Sequence, residues 1–143
     1  MNDKTYTARA GDIERQWFVV DATGQTLGRL ATRVARVLGG KHKPTWSPNL
    51  DGGDHVIVLN AKKISVSANK HDSKSYVRHS GYPQGLKEES LGKLLERRPE
   101  EVVRRAIKGM LPHTRLGAQQ LRKLKVYAGS DHPHQAQRPE PLA

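Results

Sequence analysis

The sequence predicts a layered α/β domain, and two observations support this prediction. Apolar runs of strand length, "WFVVDA" at 17–22 and "HVIVLN" at 55–60, flank a segment in which apolar residues have helical spacing. Further helical segments precede a last short strand candidate, "KVYA" at 125–128. Strands that alternate with helices favour a fold in which the helices pack on a sheet.

The first part of the chain predicts a strand, a turn, an amphipathic helix and a second strand. Thr23-Gly24 is suited to the turn, Thr26 to capping the helix and Gly39-Gly40 to ending it. The run at 55–60 is continuously apolar, as in a strand that is buried on both faces. The apolar residues of the helix, at spacings of three and four, are Leu27, Leu30, Ala31, Val34, Val37 and Leu38.

The middle of the chain gives weaker signals. The segments "KISVSA" and "KSYVRHS" are strand candidates, and we expect them to form a hairpin across Asn69-Lys70. Two helices are predicted at 90–98 and 99–111, and Pro99 suits the first turn of the second helix.

The C-terminal part predicts one more helix, at 114–124 with Thr114 as its cap, before the last strand. The following tail is rich in proline and poor in apolar residues, so we expect it to be extended. We expect both this tail and the loop from Lys41 to Pro48 to become ordered only against a partner. The whole chain, 1–143, is predicted to be one domain with an N-terminal extension at 1–15, a core at about 16–129 and a tail at 130–143.

The composition points to a polyanionic partner. The chain of 143 residues has a formal net charge of +11 and a pI near 10.2. Such an excess is typical of proteins that bind nucleic acid or an anionic membrane. The sequence has no cysteine, which excludes disulfides and thiolate metal sites. No apolar run approaches the roughly 18 residues of a membrane span, and no signal-peptide core is visible, so we expect a cytoplasmic protein.

The positive charge is concentrated in two segments that contain no acidic residue. Residues 22–50 hold five Lys or Arg and residues 102–130 hold seven, without one Asp or Glu. On the first predicted helix, Arg29, Arg33 and Arg36 lie opposite the apolar side, within about 60° of one another. A solvated helix face normally mixes both signs, because opposite charges four residues apart are favourable and like charges are not. The missing acids therefore favour a surface that faces a polyanion.

The residues favour recognition of phosphates and shape over recognition of single-stranded bases. A membrane-surface helix would need its apolar side for lipid, whereas here the apolar sides are needed for the core. Readers of single strands use exposed aromatic residues, and this chain has few. The Gly- and Pro-containing basic loop "GGKHKPTWSPN" at 39–49 can follow a phosphate backbone. Trp46 could stack on a base, but we expect it to anchor the loop against the domain. We expect structured RNA, or DNA read with little sequence choice.

Enzyme motifs are absent from the sequence. Neither a P-loop nor a dinucleotide-binding glycine pattern follows the first strand. Asp51, Asp54 and His55 could form a metal or acid–base site, but turn formation explains the same residues. His132 and His134 have no third ligand nearby in the sequence. We expect a non-enzyme without cofactor, metal or small-molecule substrate.

Several blocks of this sequence resemble the bacterial large-subunit ribosomal protein L-thirteen family. They are "WFVVDATGQTLGRLAT", "GGKHKPTWSPN", "GDHVIVLNAKKI", "SGYPQGLK", "RRPEEVVRRAIKGMLP" and "LRKLKVYAG", in the order of that family and covering nearly the whole chain from Trp17. One departure follows "KGMLP", where the family usually has a Lys-Gly-Pro-Leu-Gly-Arg-like run. This chain has residues 113–118 there, "HTRLGA", with His113 and Ala118 at two positions that are basic in the family.

The resemblance implies a three-layer α/β/α domain with a small, mostly parallel, mixed sheet. It implies a structural constituent of the large ribosomal subunit, located in the cytoplasm within the ribosome, which binds large-subunit rRNA and acts early in assembly. The third and twentieth large-subunit proteins would be its neighbours, and some relatives repress translation of their own message. The candidate rRNA-binding residues are Arg29, Arg33, Arg36, Lys41, His42, Lys43, Arg104, Arg105, Lys108, His113, Arg115, Arg122, Lys123 and Lys125.

Two hypotheses of other classes stay open from the residues alone. An α/β enzyme that uses a nucleotide to act on RNA would bind ATP, GTP or NAD saturably. A non-specific DNA-coating protein would not sediment with large ribosomal subunits after a high-salt wash.

Overall fold

The structure, a computed structural model, describes residues 6–142 and has an α/β fold. The strands are β1 (Trp17–Asp21), β2 (His55–Leu59), β3 (Ser75–His79), β4 (Leu86–Ser90), β5 (Leu124–Val126) and β6 (Glu140–Pro141). The helices are α1 (Leu27–Leu38), α2 (Ala68–Ser73), α3 (Leu91–Arg97), α4 (Pro99–Met110) and α5 (Arg115–Arg122). No helix in this part of the chain is both long and apolar enough to cross a membrane.

A four-stranded parallel sheet organises the domain. Its strand order is β5-β2-β1-β6, and each neighbouring pair is parallel. The chain passes from β1 through α1 into β2, as a parallel pair requires a crossover connection. The remaining strands, β3 and β4, form a separate antiparallel pair. The predicted α/β class with a mostly parallel sheet is confirmed.

The core lies on one face of the sheet. Alternate residues of the central strands, among them Val20, Val56 and Val58, point to this face and are buried. The apolar sides of α1, α3 and α4 complete the same cluster, with Leu30, Ile107 and their neighbours at its centre. The periodicity in the sequence therefore identified the buried sides of α1 and α4 correctly.

The opposite face of the sheet is covered in part by the C-terminal segment. The Trp17 and His55 rings stack there with centroids 4.2 Å apart and an angle of 6° between their planes. His134 approaches the same indole at 5.2 Å, and its Nε2 lies 2.7 Å from the Tyr127 hydroxyl. A short 3-10 turn at Gln135–Gln137 follows, so this layer is thin.

The end of the tail differs from the expectation of an extended segment outside the core. Glu140–Pro141 pairs with β1 as an edge strand, and the Leu142 amide donates to the Val19 carbonyl at 2.8 Å. The Leu142 side chain also packs against the core cluster. Proline is tolerated at a sheet edge, where its missing N–H leaves no ladder bond unmade. A two-residue strand carries no periodicity, so the sequence pattern did not predict it.

The predicted hairpin across Asn69-Lys70 is wrong. Those two residues lie in α2, and the antiparallel pair is formed by β3 with β4. The connection between β3 and β4 lies in "SGYPQG", where Gly81 adopts a φ of 89° that few other residues tolerate. The turn-forming residues of that segment, rather than Asn69-Lys70, mark the hairpin.

Removal of a central core side chain should reduce stability strongly. Ile107 is fully buried within α4. We expect Ile107→Ala to lower the free energy of unfolding by about 2–5 kcal/mol, because it removes apolar contact and leaves a cavity. Urea denaturation followed by circular dichroism measures this change. Leu86→Ala is the control: Leu86 is 60% exposed, and a change within about 0.5 kcal/mol is expected there.

Burial of His55, which stacks on Trp17, should also make the stability of the fold depend on pH. Desolvation lowers the pKa of His55 below its ordinary value of 6.5, and the nearby charges of Lys123, Arg15 and Lys125 lower it further, while Asp54 opposes them. The unfolded chain keeps the ordinary pKa, so it takes up the proton first as the pH falls. Stability from this group is therefore fully present above pH 6.5 and is lost as the pH falls below it.

We expect the unfolding free energy of the wild type to fall between pH 7.5 and pH 5, and the His55→Gln variant to show a smaller fall. Urea denaturation at the two pH values measures the difference. Leu86→Ala, at an exposed position without a titratable group, should keep the pH dependence of the wild type. An equal fall in the unfolding free energy of the wild type and of His55→Gln would show that protonation of His55 does not cause the loss of stability in acid.

Candidate nucleic-acid interface

The two segments without acidic residues meet in the fold. They contribute α1 and α4, which pack against each other, and the Thr32 hydroxyl lies 3.5 Å from the Met110 sulfur. Both helices turn their basic sides to solvent. The exposed residues there are Arg29, Arg33 and Arg36 on α1 and Arg104, Arg105 and Lys108 on α4.

Most of these cations have no acidic partner. In residues 6–142, Arg105 is the one of the six that forms an ion pair, with Glu101 at 2.8 Å, and its guanidinium also lies 5.0 Å from the Tyr76 ring centre. Arg33 donates to the neutral Gln25 side chain at 3.1 Å. The positive charge of this surface is therefore largely uncompensated within the described part of the chain.

The basic loop is held by one buried carboxylate. Asp54 is fully buried and accepts hydrogen bonds from the Lys43 ammonium at 2.6 Å and the Gln16 amide at 3.0 Å. The Nε2 atom of His42 lies 2.7 Å from its second oxygen. Lys43 also donates to the Glu14 carbonyl at 2.6 Å. The loop is thus tied to the N-terminal segment and to the start of β2.

A second buried ion pair joins this region to the end of α5. The Lys123 ammonium lies 2.5 Å from Asp51 Oδ1 and donates to the carbonyls of Gly53 at 2.8 Å and Leu38 at 3.3 Å. Burial lowers the pKa of Lys123, although the bond and charge of Asp51 offset part of that effect. The residue is 6% exposed, which leaves its charge no access to a phosphate. This burial disfavours the predicted contact between Lys123 and rRNA, and we propose instead that the charge of Lys123 stabilises the fold.

The segment "DGGDH" does more than form a turn. A Cβ atom on Gly53 would lie 1.8 Å from the Leu38 carbonyl oxygen, so only glycine permits this approach. Gly40, with a φ of 77°, returns the chain from α1 to the same place. This close packing aligns Asp51 and Asp54 with their basic partners. The interpretation of this segment as a simple turn did not predict the ion pairs. We expect substitution of Asp51 and Asp54 to destabilise the fold.

The remaining predicted residues follow α4. The Thr114 hydroxyl caps α5 by accepting from the Gly117 amide at 3.3 Å, as predicted, and His113, Arg115 and Arg122 are exposed. Lys125 is half-buried on β5, in register with Ile57. Its neighbour Leu124 points into the core, so Lys125 lies on the opposite face of the sheet, away from the helices.

Residues 15–133 match the family model of ribosomal protein L13. The chain belongs to the ribosomal protein L13 family. A large ribosomal subunit protein uL13 from Symbiobacterium thermophilum is 59% identical over 140 residues, 98% of both chains. Relatives of the same name are 58% identical in Aquifex aeolicus, over 97% of this chain and 96% of theirs, and 59% identical in Mycolicibacterium smegmatis, over 96% and 94%.

Membership of this family confirms two of the sequence predictions. The chain belongs to the family that "KGMLP" and the other quoted blocks resemble. Members of this family are structural components of the ribosome and not enzymes. Within residues 6–142, no cluster of three or more acidic or histidine side chains is arranged to hold a metal ion.

Sequence reasoning missed two kinds of functional residue. It did not identify Asp51 and Asp54 as the anchors of the basic loop, because a turn explains the same letters. It also treated all basic residues alike, whereas Lys123 is structural. The position of Lys123 in the sequence could have indicated that it is buried. It precedes the apolar Leu124 and lies within one helical turn of Gln120 and Leu121, on the buried side of α5.

Loss of the Lys123 charge should therefore destabilise the protein. We expect Lys123→Gln to lower the unfolding free energy by about 3–5 kcal/mol, because it leaves the Asp51 carboxylate without its buried partner. The matched control is Arg122→Gln, which removes an exposed charge from the neighbouring position and should change stability by less than about 0.5 kcal/mol. Urea denaturation measures both. Equal stabilities of the two variants would contradict the structural role of Lys123.

Proposed function

We propose that this protein is a structural constituent of the large ribosomal subunit that binds and stabilises folded rRNA. One observation carries the proposal: the exposed cations of α1, α4 and α5 form a surface that contains uncompensated positive charge. The relatives are named as large-subunit proteins, which supports rRNA as the polyanion.

The chemistry of the surface favours contacts to phosphates. Arginine presents a planar fork of donors that matches phosphate oxygens, and it provides five of the six cations exposed on α1 and α4. The side chains stand on helices whose opposite sides are fixed in the core, so their spacing is set before RNA arrives. Such contacts recognise the shape of a folded RNA and carry little information about its sequence.

The finer parts of the proposal follow from the family. We infer that the protein acts early in subunit assembly, in the cytoplasm, and lies beside the third and twentieth large-subunit proteins. Repression of translation of its own message would use the same phosphate-binding surface. An rRNA-binding protein that stabilises a folded RNA segment is suited to act early, because later proteins then bind a segment that is already ordered.

Neutral substitutions on the exposed surface should weaken rRNA binding without unfolding the protein. Gln in place of Lys108, Arg115 and Arg122 removes three charges and keeps similar side-chain length and helix propensity. Each lost phosphate contact should lower the magnitude of the log–log salt slope by about 0.7–0.9, so the triple variant should lose about 2–3. Filter binding to purified large-subunit rRNA at several salt concentrations measures the slope. The melting temperature should be unchanged or slightly higher, because like charges no longer repel.

A matched control removes the same charge from elsewhere on the surface. Lys62, Lys87 and Lys93 are exposed and lie outside the two segments without acidic residues. Their triple Gln variant should bind rRNA with nearly the wild-type slope. In competition with wild type, the first variant should be depleted from large subunits after a high-salt wash. Equal incorporation of both triple variants would defeat the proposal.

A further inference from the structure

An open groove lies where the two segments without acidic residues come together. It runs between the end of α1, the basic loop and the segment from Met110 to Gln120, and its volume is about 820 Å³. This volume falls within the range of about 300–1,000 Å³ that is typical of small-ligand sites. The lining residues used below are Arg36, Lys41, Trp46, Met110, Leu116 and Gln120.

The charge of the groove favours an anionic occupant. Arg36 and Lys41 lie at its rim, and none of its lining residues is acidic. A second groove, which Trp46 also lines, differs in this respect because Asp12 and Glu14 line it. Charge complementarity therefore selects the first groove for a phosphate-bearing ligand.

The walls of the groove suit a flat, apolar body. Trp46 is 44% exposed and Met110 is 46% exposed, both unusual for large apolar side chains, and Leu116 adds further apolar surface. The Lys41 ammonium lies 5.8 Å from the centre of the Trp46 ring, which places a positive charge beside the aromatic surface. A nucleobase combines a flat aromatic ring with adjoining phosphates, and bases stack on exposed aromatic side chains in many RNA-binding proteins.

A buried amide in the groove has no partner. Gln120 is 4% exposed, and its Oε1 atom is buried without a hydrogen-bond partner among residues 6–142. Buried polar atoms are nearly always paired, so an orphaned acceptor at the lining of a groove indicates a missing donor. Gln120 lines the groove, and the terminal torsion of a glutamine side chain is soft, so its amide can rotate. An amino group on the edge of a base is a donor of the right kind.

We propose that this groove binds one unpaired, amino-bearing nucleobase that is turned out of the folded rRNA. Trp46 stacks on the base, the Gln120 amide accepts a hydrogen bond from its amino group, and Arg36 and Lys41 contact the flanking phosphates. This proposal rests on the proposed rRNA-binding function and adds a base-specific site to it. It also assigns Trp46 a role beyond anchoring the loop.

The test separates stacking from charge. Trp46→Ala removes the stacking surface without changing the net charge, so affinity for protein-free large-subunit rRNA should fall about 5- to 150-fold while the salt slope stays that of the wild type. Gln120→Leu should also weaken binding, while its melting temperature is unchanged or higher because an unpaired buried amide has been replaced by an apolar side chain. Loss of binding in this second variant cannot then be attributed to unfolding.

Fluorescence and chemical footprinting give independent readouts. The chain has two tryptophans, so Trp17→Phe leaves Trp46 as the single reporter, and its emission should be quenched in step with rRNA binding. Dimethyl sulfate modification of the rRNA should show one unpaired adenine or cytosine that wild type protects and Trp46→Ala does not. Protections elsewhere should remain when the RNA is saturated with the variant.

Three results would overturn the inference. If wild type binds rRNA with a steep salt slope but Trp46→Ala binds equally well, the groove holds no base and the proposed function stands. If Trp46→Ala weakens binding only when other large-subunit proteins are present, the occupant is a protein side chain. If wild type shows no affinity for rRNA at all, the proposed function fails and this inference fails with it.

Discussion

The architecture of the basic surface depends on two carboxylates, the fully buried Asp54 and the partly buried Asp51. Asp54 binds Lys43 and His42, and Asp51 binds Lys123, so the loop after α1, the start of β2 and the end of α5 are joined at one place. Ion pairs in such surroundings are costly to break, because removing one partner leaves an unpaired buried charge. These pairs hold a strongly basic loop in position within a protein whose net charge would otherwise tend to separate its parts.

The same arrangement divides the basic residues by role. Lys123 and Lys43 direct their ammonium groups to carboxylates and backbone carbonyls, and these charges stabilise the fold. Arg29, Arg36 and Lys108 are exposed and form no ion pair within residues 6–142. The exposed cations keep their positions only while the ion pairs of Lys43 and Lys123 hold the surrounding segments together.

The sequence predicted the parts of the fold that follow from periodicity. The apolar spacing of α1 and α4 is that of amphipathic helices, and the continuous apolar run of β2 favours a strand buried on both faces. The pairing of Lys123 with Asp51, 72 positions away, depends on tertiary contacts that no local pattern contains. The edge strand at Glu140–Pro141 is likewise formed by backbone bonds to β1, for which the side chains give no signal. Of the candidate interface, the exposed basic side of α1 followed from helical periodicity, whereas the burial of Lys123 depends on tertiary contacts.

We expect the exposed cations, and not the buried Lys123, to contact RNA. Amine-reactive labelling followed by mass spectrometry tests this claim directly, on the free protein and on the protein in purified large subunits. Lys41 and Lys108 should react in the free protein and be protected in the subunit, whereas Lys123 should be unreactive in both states and exposed Lys87 reactive in the free protein. Equal reactivity of Lys41 and Lys108 in the two states would show that these exposed cations do not contact RNA, and labelling of Lys123 in the free protein would show that its ammonium group is not buried.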